Sequence, residues 1–505
     1  MGICKFVDEL NRLRKSSSDS IDNVENFDEF KKYMHVTRNV EEDLIEILKK
    51  VNESGKKTLV LLCGSAGDGK SHLLSYLKNE EKLLDEYEVY NDATESNSPS
   101  KTAIETLNEV LDKFSDQNLV MPGKNIILAI NLGVLSNFIE SEYGFAFKEL
   151  YKYVNYSNIL TNQINEKGYN DESNFQHVSF SDYHMFSLTQ EGVKPVYIEK
   201  IMEKVFVPFG DNPFYISSKE CVHCPLSQKC PVKHNYEFMT DEVHRKYVAN
   251  VLVEIIFKEK AILTTREILN FIYDILVPHS FSYKRISRLT VNSEYLKEYI
   301  ESITPTLMYN NKDRSEVLNQ MRKYDPLLKR SEKADEQAIF YYVSTDISEN
   351  VRDVVEGKSY ETVLNQNLYI DEINKNKDIK SRVHNMLIRL KAMKNGGSID
   401  RIYLSFLENL YYFNIGKSSK LGNLYKIVEN AVMQWCGNES DSEICMDDTN
   451  PLFSLYEEIK FEEYLEDVKR QKEQGLNKFL PFITVKFENR KTKELVQLDM
   501  DYSLY

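Results

Sequence analysis

Two different periods of hydrophobic and polar residues alternate along the first half of the chain. Short apolar runs typical of buried strands are separated by segments whose apolar residues recur at helical spacing, as in residues 40–51 and 102–114. Strands that alternate with helices in this way favour an α/β fold with a parallel sheet. The four strand-like runs are residues 58–63, 88–91, 125–131 and 176–180.

The pattern becomes mainly helical after these runs. Apolar stripes within residues 247–256 and 268–276 predict two helices, the second with Thr264 or Thr265 as its N-cap. Residues 301–475 are also predicted to be mainly helical. The chain closes with the alternating segments ITVKF and LVQLDM around the polar ENRKTKE, which is typical of a β-hairpin.

A glycine-rich octapeptide follows the first strand-like run. It consists of Gly64, Ser65, Ala66, Gly67, Asp68, Gly69, Lys70 and Ser71, and it fits the pattern G-x-x-x-x-G-K-[ST]. In such a P-loop the backbone N–H groups surround phosphates, Lys70 reaches the β and γ phosphates, and Ser71 ligates Mg²⁺. The helix that begins around His72 offers its positive N-terminal end to the same anion. The octapeptide therefore predicts binding of ATP with Mg²⁺.

Hydrolysis of ATP requires further groups, for which the sequence offers candidates rather than a full pattern. Asp92 and Glu95 follow the run 88–91 and could hold the metal or orient water, provided that this strand lies beside the run 58–63; they could equally start a loop. Asn131 ends the third run, where it is either a γ-phosphate sensor or a turn residue. Arg266, in the first turn of a predicted helix, is a candidate second sensor.

A compact group of cysteines predicts a structural zinc site. Cys221, Cys224, Cys230 and His234 supply four ligands that suit tetrahedral Zn²⁺. His223 is an alternative fourth ligand. An iron–sulfur cluster also stays open, with a remote cysteine, Cys436 or Cys445, as the fourth ligand.

Composition and charge restrict the partners and the cellular location that we expect for this protein. The chain has 505 residues, with 79 Asp and Glu against 64 Lys and Arg, a formal net charge of −15, which argues against a surface that coats nucleic acid. A basic stretch at residues 375–401 leaves local contact with a phosphate backbone open. No segment is apolar enough to span a membrane, the N-terminus lacks a secretion signal, and seven cysteines are too few for a disulfide framework. We therefore expect a cytoplasmic protein without membrane contact.

Together these features predict a P-loop NTPase, AAA-like, with a parallel sheet core and added elements. The predicted segments are an N-terminal helical linker (1–56), a P-loop ATPase core (57–215), a Cys/His zinc-like insert (216–240), a helical lid (241–300), a mainly helical C-terminal region (301–475) and a terminal β-hairpin (476–505).

Several strings resemble one protein family. They are CGSAGDGKSHLLSYL, YNDATES, AINLGVLSNFIE, CVHCPLSQKCPVKHNYEF and LTTREILNFIYDIL. This combination resembles DptF, also called DndF, the ATPase-like component of the phosphorothioation-dependent DNA restriction system of bacteria. The resemblance covers residues of about 30–340 with specific motifs, and the P-loop alone is widely shared.

The resemblance implies a role in phage defence. A member of this family would act with two partner proteins, one of them helicase-like, on DNA that lacks sulfur-modified phosphates. Contact with DNA would come through the complex, and a homo-oligomer stays open. The alternatives are a non-hydrolysing scaffold that ATP locks in place and a regulatory DNA-binding module; no nuclease motif is present.

Overall fold

The computed structural model places the chain in two compact units, Met1–Tyr183 with Pro195–Ser398 and His184–Lys194 with Ile399–Tyr505. The structure describes residues 4–19, 27–91, 102–160, 168–279, 281–282, 286, 293–311, 313–330, 332–344, 348–355, 360–364, 371, 373–396, 400–435, 443–447, 449, 452–458, 461–464 and 476–505. The first, larger unit contains the predicted P-loop.

Four parallel strands form the central sheet of the larger unit. They are β1 (Leu59–Cys63), β2 (Tyr87–Tyr90), β3 (Asn125–Ile130) and β4 (Phe175–Ser179), in the order β2-β3-β1-β4. All five residues of β1 are buried, as expected for a strand whose two faces are both covered by helices. The four strand-like runs of the sequence are thereby confirmed as one parallel sheet.

Helices cover both faces of this sheet. On one face, Leu59 and Leu61 pack with side chains of the helices at 103–111, 132–140 and 148–156; on the other, Val60 and Leu62 pack with side chains of the helices at 39–54 and 70–79. This alternation is the pleat of the strand, which points successive side chains to opposite faces. The helices of this part are α1 (Lys5–Asp19), α2 (Glu29–Met34), α3 (Asn39–Ser54), α4 (Lys70–Asn79), α5 (Ala103–Leu111), α6 (Leu132–Glu140) and α7 (Lys148–Tyr156).

The middle of the chain is mainly helical, as the sequence predicted. The N-cap of α12 is Thr264, whose side chain accepts the Glu267 N–H while the Glu267 carboxylate reaches back to the Thr264 N–H, a capping box. Among the described helices, none is long and apolar enough to cross a membrane. The helices here are α8 (Val196–Phe206), α9 (Pro213–Lys219), α10 (Pro231–Met239), α11 (Glu242–Glu259), α12 (Thr265–Leu276), α13 (Ser293–Glu301), α14 (Thr304–Asn310), α15 (Glu316–Met321), α16 (Glu332–Val343), α17 (Ser348–Val355), α18 (Glu361–Leu364) and α19 (Lys377–Lys394).

The second unit combines helices with small antiparallel sheets. The predicted terminal hairpin is confirmed as β10 and β11, and β9 pairs with β10 as a third strand. The region 301–475, which the sequence predicts to be mainly helical, is so in its described residues up to Trp435; beyond it residues 443–447 pair with residues 455–458 as strands. The side chains of the second of these strands are all exposed, so no apolar alternation marks it. The elements are β5 (Ser187–Thr189), β6 (Gly192–Lys194), α20 (Arg401–Asn414), α21 (Gly422–Trp435), β7 (Glu443–Asp447), β8 (Leu455–Glu458), β9 (Phe461–Glu463), β10 (Ile483–Asn489) and β11 (Leu495–Met500).

The basic helix α19 buries one of its arginines in the larger unit. The Arg389 guanidinium donates two hydrogen bonds to Asp325, from Nε to Oδ1 at 3.1 Å and from Nη2 to Oδ2 at 2.6 Å. Its Nη2 also donates to Asn310 Oδ1 at 2.9 Å. The two paired side chains are only 6% and 8% exposed, so this arginine stabilises the helical packing and is not presented to a phosphate backbone.

Removing this arginine should be costly. Arg389→Ala leaves the Asp325 carboxylate buried without its charged partner, so we expect the free energy of unfolding to fall by about 3–5 kcal/mol. Arg382 on the same helix is a matched control, because its side chain is 38% exposed and pairs with Asp378 and Glu301 at the surface. Arg382→Ala should cost no more than about 1 kcal/mol. Urea unfolding followed by circular dichroism measures both, and equal losses would contradict the prediction.

Candidate functional site

The glycine-rich loop joins β1 to α4 through two residues with left-handed backbone conformations. Gly67 has φ 90° and Gly69 has φ 101°, values that side chains of L-amino acids rarely allow. A Cβ atom on Gly67 would also lie 3.1 Å from Thr264 Oγ1, at the start of α12. Glycine at position 67 therefore serves both the curl of the loop and its close approach to the neighbouring helix.

Charged side chains inside the loop contact the loop's own backbone. Lys70 Nζ donates to the carbonyls of Gly64 at 2.9 Å and Ser65 at 2.7 Å. The Ser65 N–H donates to Asp68 Oδ2 at 2.6 Å. Burial raises the pKa of Asp68, and the Ser65 N–H together with the charges of Lys70 and Arg38 opposes that rise. One ammonium group and one carboxylate thus lie within a single turn of the chain.

A cavity of about 300 Å³ opens beside this loop. Most of the residues that the sequence assigned to phosphate binding line it. The structure also brings Asn131 and Arg266 to its wall, although they come from distant parts of the sequence. Gly64 and Ser65 are not among the lining residues, but their carbonyls accept hydrogen bonds from Lys70. The members of the predicted site that line the cavity are Ala66, Gly67, Asp68, Gly69, Lys70, Ser71, His72, Asn131 and Arg266.

Asn131 stands at the carboxyl edge of the sheet and caps the next helix. Its Oδ1 accepts the Gly133 N–H at 2.8 Å, which fixes the side chain at the N-cap of α6. The residue is exposed at the cavity wall. The turn interpretation and the sensor interpretation are therefore compatible, because the capping contact uses the amide oxygen and not the amide nitrogen.

Arg266 lies in the first turn of α12, directly against the loop. Its backbone N–H is 3.5 Å from the carbonyl oxygen of Gly67. Neighbouring Thr265 shares a hydrogen bond of 3.1 Å with the hydroxyl of Tyr197 on α8. The start of α12 is thus held against both the loop and α8, and the Arg266 side chain faces the cavity.

The two acidic candidates, Asp92 and Glu95, lie outside the described residues. Asn91, which directly precedes Asp92, lines the cavity. The role predicted for these two acids assumed that β2 lies beside β1. That assumption is wrong, because β3 lies between them. The sequence could not predict this order, because local periodicity does not encode which strands are neighbours. The carboxyl ends of β1, β2 and β3 still lie at one edge of the sheet, because the three strands are parallel.

Arg38 is a site residue that the sequence did not indicate. Its Nη1 donates to the Asp68 carbonyl in the loop at 3.2 Å. The guanidinium lies over two aromatic rings, 4.9 Å from the centroid of Phe180 and 4.8 Å from that of Tyr197. These partners come from three separate segments, so no local pattern could have identified the group.

A pair of histidines lines the side of the cavity next to α2 and α4. His35 Nδ1 and His72 Nε2 are 3.1 Å apart, and the His35 ring stacks on Tyr76 with centroids 3.9 Å apart. Burial, followed by the charge of His35, lowers the pKa of His72 to about 3, so His72 is neutral at physiological pH. The adjoining wall is apolar and is formed by Met34, Val36, Val40, Ile201 and Leu269.

The predicted zinc ligands are only partly brought together. Cys221, Cys224 and Cys230 lie in the short turns before α10. His234 is buried in α10, with its Nδ1 2.6 Å from the Tyr299 hydroxyl, and its ring also donates to the Ser227 backbone. Within the described ranges, no group of three or more His, Cys, Asp or Glu side chains is placed so that it could hold a metal ion.

The arrangement beside the loop therefore joins three chemical surfaces. The loop supplies cationic and N–H donors, the sheet edge supplies polar side chains, and α2, α8 and α12 supply an apolar wall. No protein-family model, no curated protein and no solved structure matches this chain.

Proposed function

We propose that this protein binds ATP with Mg²⁺ in the cavity beside the glycine-rich loop and hydrolyses it. The observation that carries the proposal is the convergence of Lys70, Ser71, Asn131 and Arg266 on one cavity at the carboxyl edge of a parallel sheet. That edge is where ligands bind in open α/β sheets.

The phosphates would lie against the loop and the first turn of α4. Lys70 Nζ would exchange the carbonyls of Gly64 and Ser65 for oxygens of the β and γ phosphates, which carry more negative charge. The N-terminal end of α4 adds its dipole to the same anion. Ser71 would ligate Mg²⁺ through its hydroxyl, as this position does in P-loops.

The nucleobase would lie against the apolar wall. Met34, Ile201 and Leu269 offer a flat ring the dispersion contacts that it needs, and neutral His72 adds no charge there. Arg38, held on Phe180 and Tyr197 beside the loop, would place a positive charge between the base side and the phosphate side.

Hydrolysis would depend on polar groups around the γ phosphate. Asn131 and Arg266 line the cavity from the sheet edge and from α12, and either could contact the γ phosphate or the attacking water. Asp92 or Glu95 would hold the metal or orient that water; the position of Asn91 on the cavity wall supports this assignment.

A second candidate function is a scaffold that ATP locks without turnover. It is favoured by the packing of α12 on the loop, where the Arg266 N–H is 3.5 Å from the Gly67 carbonyl oxygen. A nucleotide bound between the loop and α12 would contact both, and would therefore stabilise this arrangement. Measurement of ATP turnover separates the two functions.

The wider role that we propose is that of an ATPase subunit in a multi-protein DNA restriction complex. It rests on the residue strings that resemble DptF. The cavity beside the loop would be the place where the subunit binds and hydrolyses ATP. The subunit would contact a helicase-like partner and DNA within that complex. It would also hold zinc as a structural cofactor. ATP turnover with and without DNA and the partner proteins tests this role.

The loop lysine gives the first test of nucleotide binding. Lys70→Ala removes the ammonium from the phosphates but leaves sheet and loop glycines intact, so we expect ATP affinity to fall about 10- to 100-fold. Lys78→Ala, in the last turn of the same helix and away from the cavity lining, is the matched control and should bind like the parent protein. Isothermal titration calorimetry measures both; unchanged affinity in Lys70→Ala would exclude the loop as the binding site.

Asn131 allows capping to be separated from catalysis. Asp is as good an N-cap as Asn, so Asn131→Asp should keep the melting temperature of the parent protein. The new carboxylate would repel the γ phosphate, and turnover should fall at least about tenfold. Asn131→Ala should instead lose about 1 kcal/mol of stability together with the sensor group. Full turnover in Asn131→Asp would show that the residue is only a cap.

The acidic residues are tested by comparing binding with turnover. Losing a water-orienting carboxylate affects mainly the transition state, so Asp92→Ala and Glu95→Ala should bind ATP nearly as the parent does. At least one of them should turn ATP over about 100-fold more slowly. If both variants hydrolyse ATP at the parental rate, neither residue is the catalytic acid. If the parent itself shows no turnover under any condition, the scaffold function is supported.

A further inference from the structure

A second cluster of reactive side chains lies where the N-terminal helix α1 meets the turns before α10. Cys4 directly precedes α1, whereas Cys221, Cys224 and Cys230 lie in those turns. Burial, followed by the neighbouring thiols of Cys230, Cys4 and Cys224, raises the pKa of Cys221, and Cys4 and Cys224 add in the same way to the effect of burial on the pKa of Cys230. None of the four forms a disulfide. Folding thus gathers four free thiols from two distant segments.

Packing of α1 fixes the position of Cys4. Lys5 Nζ lies 3.2 Å from the Glu220 carboxylate, so the residue after Cys4 contacts the residue before Cys221. Phe6 is buried and meets the Tyr236 ring edge-on, with centroids 5.1 Å apart. Cys4 therefore belongs to a packed junction between α1 and the segment that carries the other three cysteines.

The sulfur atoms of two of these cysteines accept backbone hydrogen bonds. The Leu226 N–H donates to Cys224 Sγ at 3.4 Å, and the backbone N–H groups of Val232 and Lys233 donate to the Cys230 sulfur. A neutral thiol is a weak acceptor, whereas metal-bound thiolates are commonly supported and tuned by such hydrogen bonds. His234, by contrast, directs its ring to Tyr299 and Ser227.

We propose that Cys4, Cys221, Cys224 and Cys230 form a four-thiolate metal centre in which Cys4 takes the place expected of His234. The site is independent of the proposed ATP cavity. Four thiolates complete the coordination of either a tetrahedral zinc ion or an iron–sulfur cluster, and each thiol releases its proton to solvent on binding. Since no group of three or more such side chains in the described residues could hold a metal ion as they are placed, binding of either metal requires the sulfurs to rotate towards each other.

The centre would hold α1 against α12, whose first turn borders the glycine-rich loop. Arg14, near the middle of α1, lies 3.9 Å from the Asp274 carboxylate and over the Tyr273 ring at 5.1 Å, both on α12. A metal that joins Cys4 to the turns before α10 would fix the chain at the start of α1, ahead of the contacts of Arg14. Loss of the metal should therefore loosen α1 and lower the melting temperature.

Metal content and ligand type test the proposal on the full-length protein purified without added metal. We expect about one zinc ion per chain, or about four iron atoms with brown colour, by elemental analysis and absorbance. X-ray absorption spectroscopy should count four sulfur ligands and no nitrogen. Cys4→Ser should lose metal as Cys221→Ser does, whereas His234→Gln and Cys445→Ser, a control in the other compact unit, should retain it.

The outcomes that would overturn the centre are distinct from failure of the ATP site. A metal-free parent protein that also stays metal-free after reconstitution with zinc or with iron and sulfide would exclude it. A shell of three sulfurs and one nitrogen would restore His234 as the ligand, and full metal content in Cys4→Ser would exclude Cys4. Lys70→Ala serves as the cross-control, because it should lose ATP affinity and keep its metal.

Discussion

The parallel pairing of β1 with β3 and β4 is the interaction on which the candidate site depends. Cys63 stands level with Ile130 and Ser179, and the Gly64 N–H donates to the Ile130 carbonyl at 3.2 Å. The loop and Asn131 therefore leave the sheet side by side. Because β1 is buried on both faces, a slip of one residue would turn its side chains to the wrong helical layers, and the register is strongly specified.

The electrostatics of the loop follow from this placement. Lys70 and Asp68 lie in one tight turn and satisfy its carbonyl and N–H groups. Charges at the mouth of a partly buried cavity interact more strongly than they would in water. The contacts are local and few, so the triphosphate that we propose to bind here would replace them without disturbing the sheet. Arg38 adds a further positive charge that is positioned by two aromatic rings rather than by a carboxylate.

Residues ahead of β1 contribute more than a connection to the sheet. The segment between α2 and α3 lines the cavity with His35 and Arg38, and α1 packs against α9 and α12. Helices on both sides of the cavity are thus joined through the N-terminal part of the chain. If the four-thiolate centre and the nucleotide site that we propose both form, a metal at one end of α1 and a nucleotide beside α12 would act on the same packed helices.

Local patterns of residues were sufficient to predict the secondary structure around the site and the glycine-rich loop. The periods of apolar residues located the four strands, helices α11 and α12 and the terminal hairpin, because burial of one face or of both leaves a local signature. The pattern of Gly64 to Ser71 was equally local, since glycines and a lysine at fixed spacing are what a phosphate loop needs.

Local patterns could not predict which of these elements meet, because that depends on the tertiary structure. It set β3 between β1 and β2, brought Arg38 onto Phe180 and Tyr197, and gathered Cys4 with the cysteines before α10 while His234 turned to Tyr299. It also formed β7 and β8 within the region that the pattern predicted to be mainly helical. These outcomes depend on contacts between residues far apart in the chain, and the periodicity of a short segment records which face is buried but not what buries it.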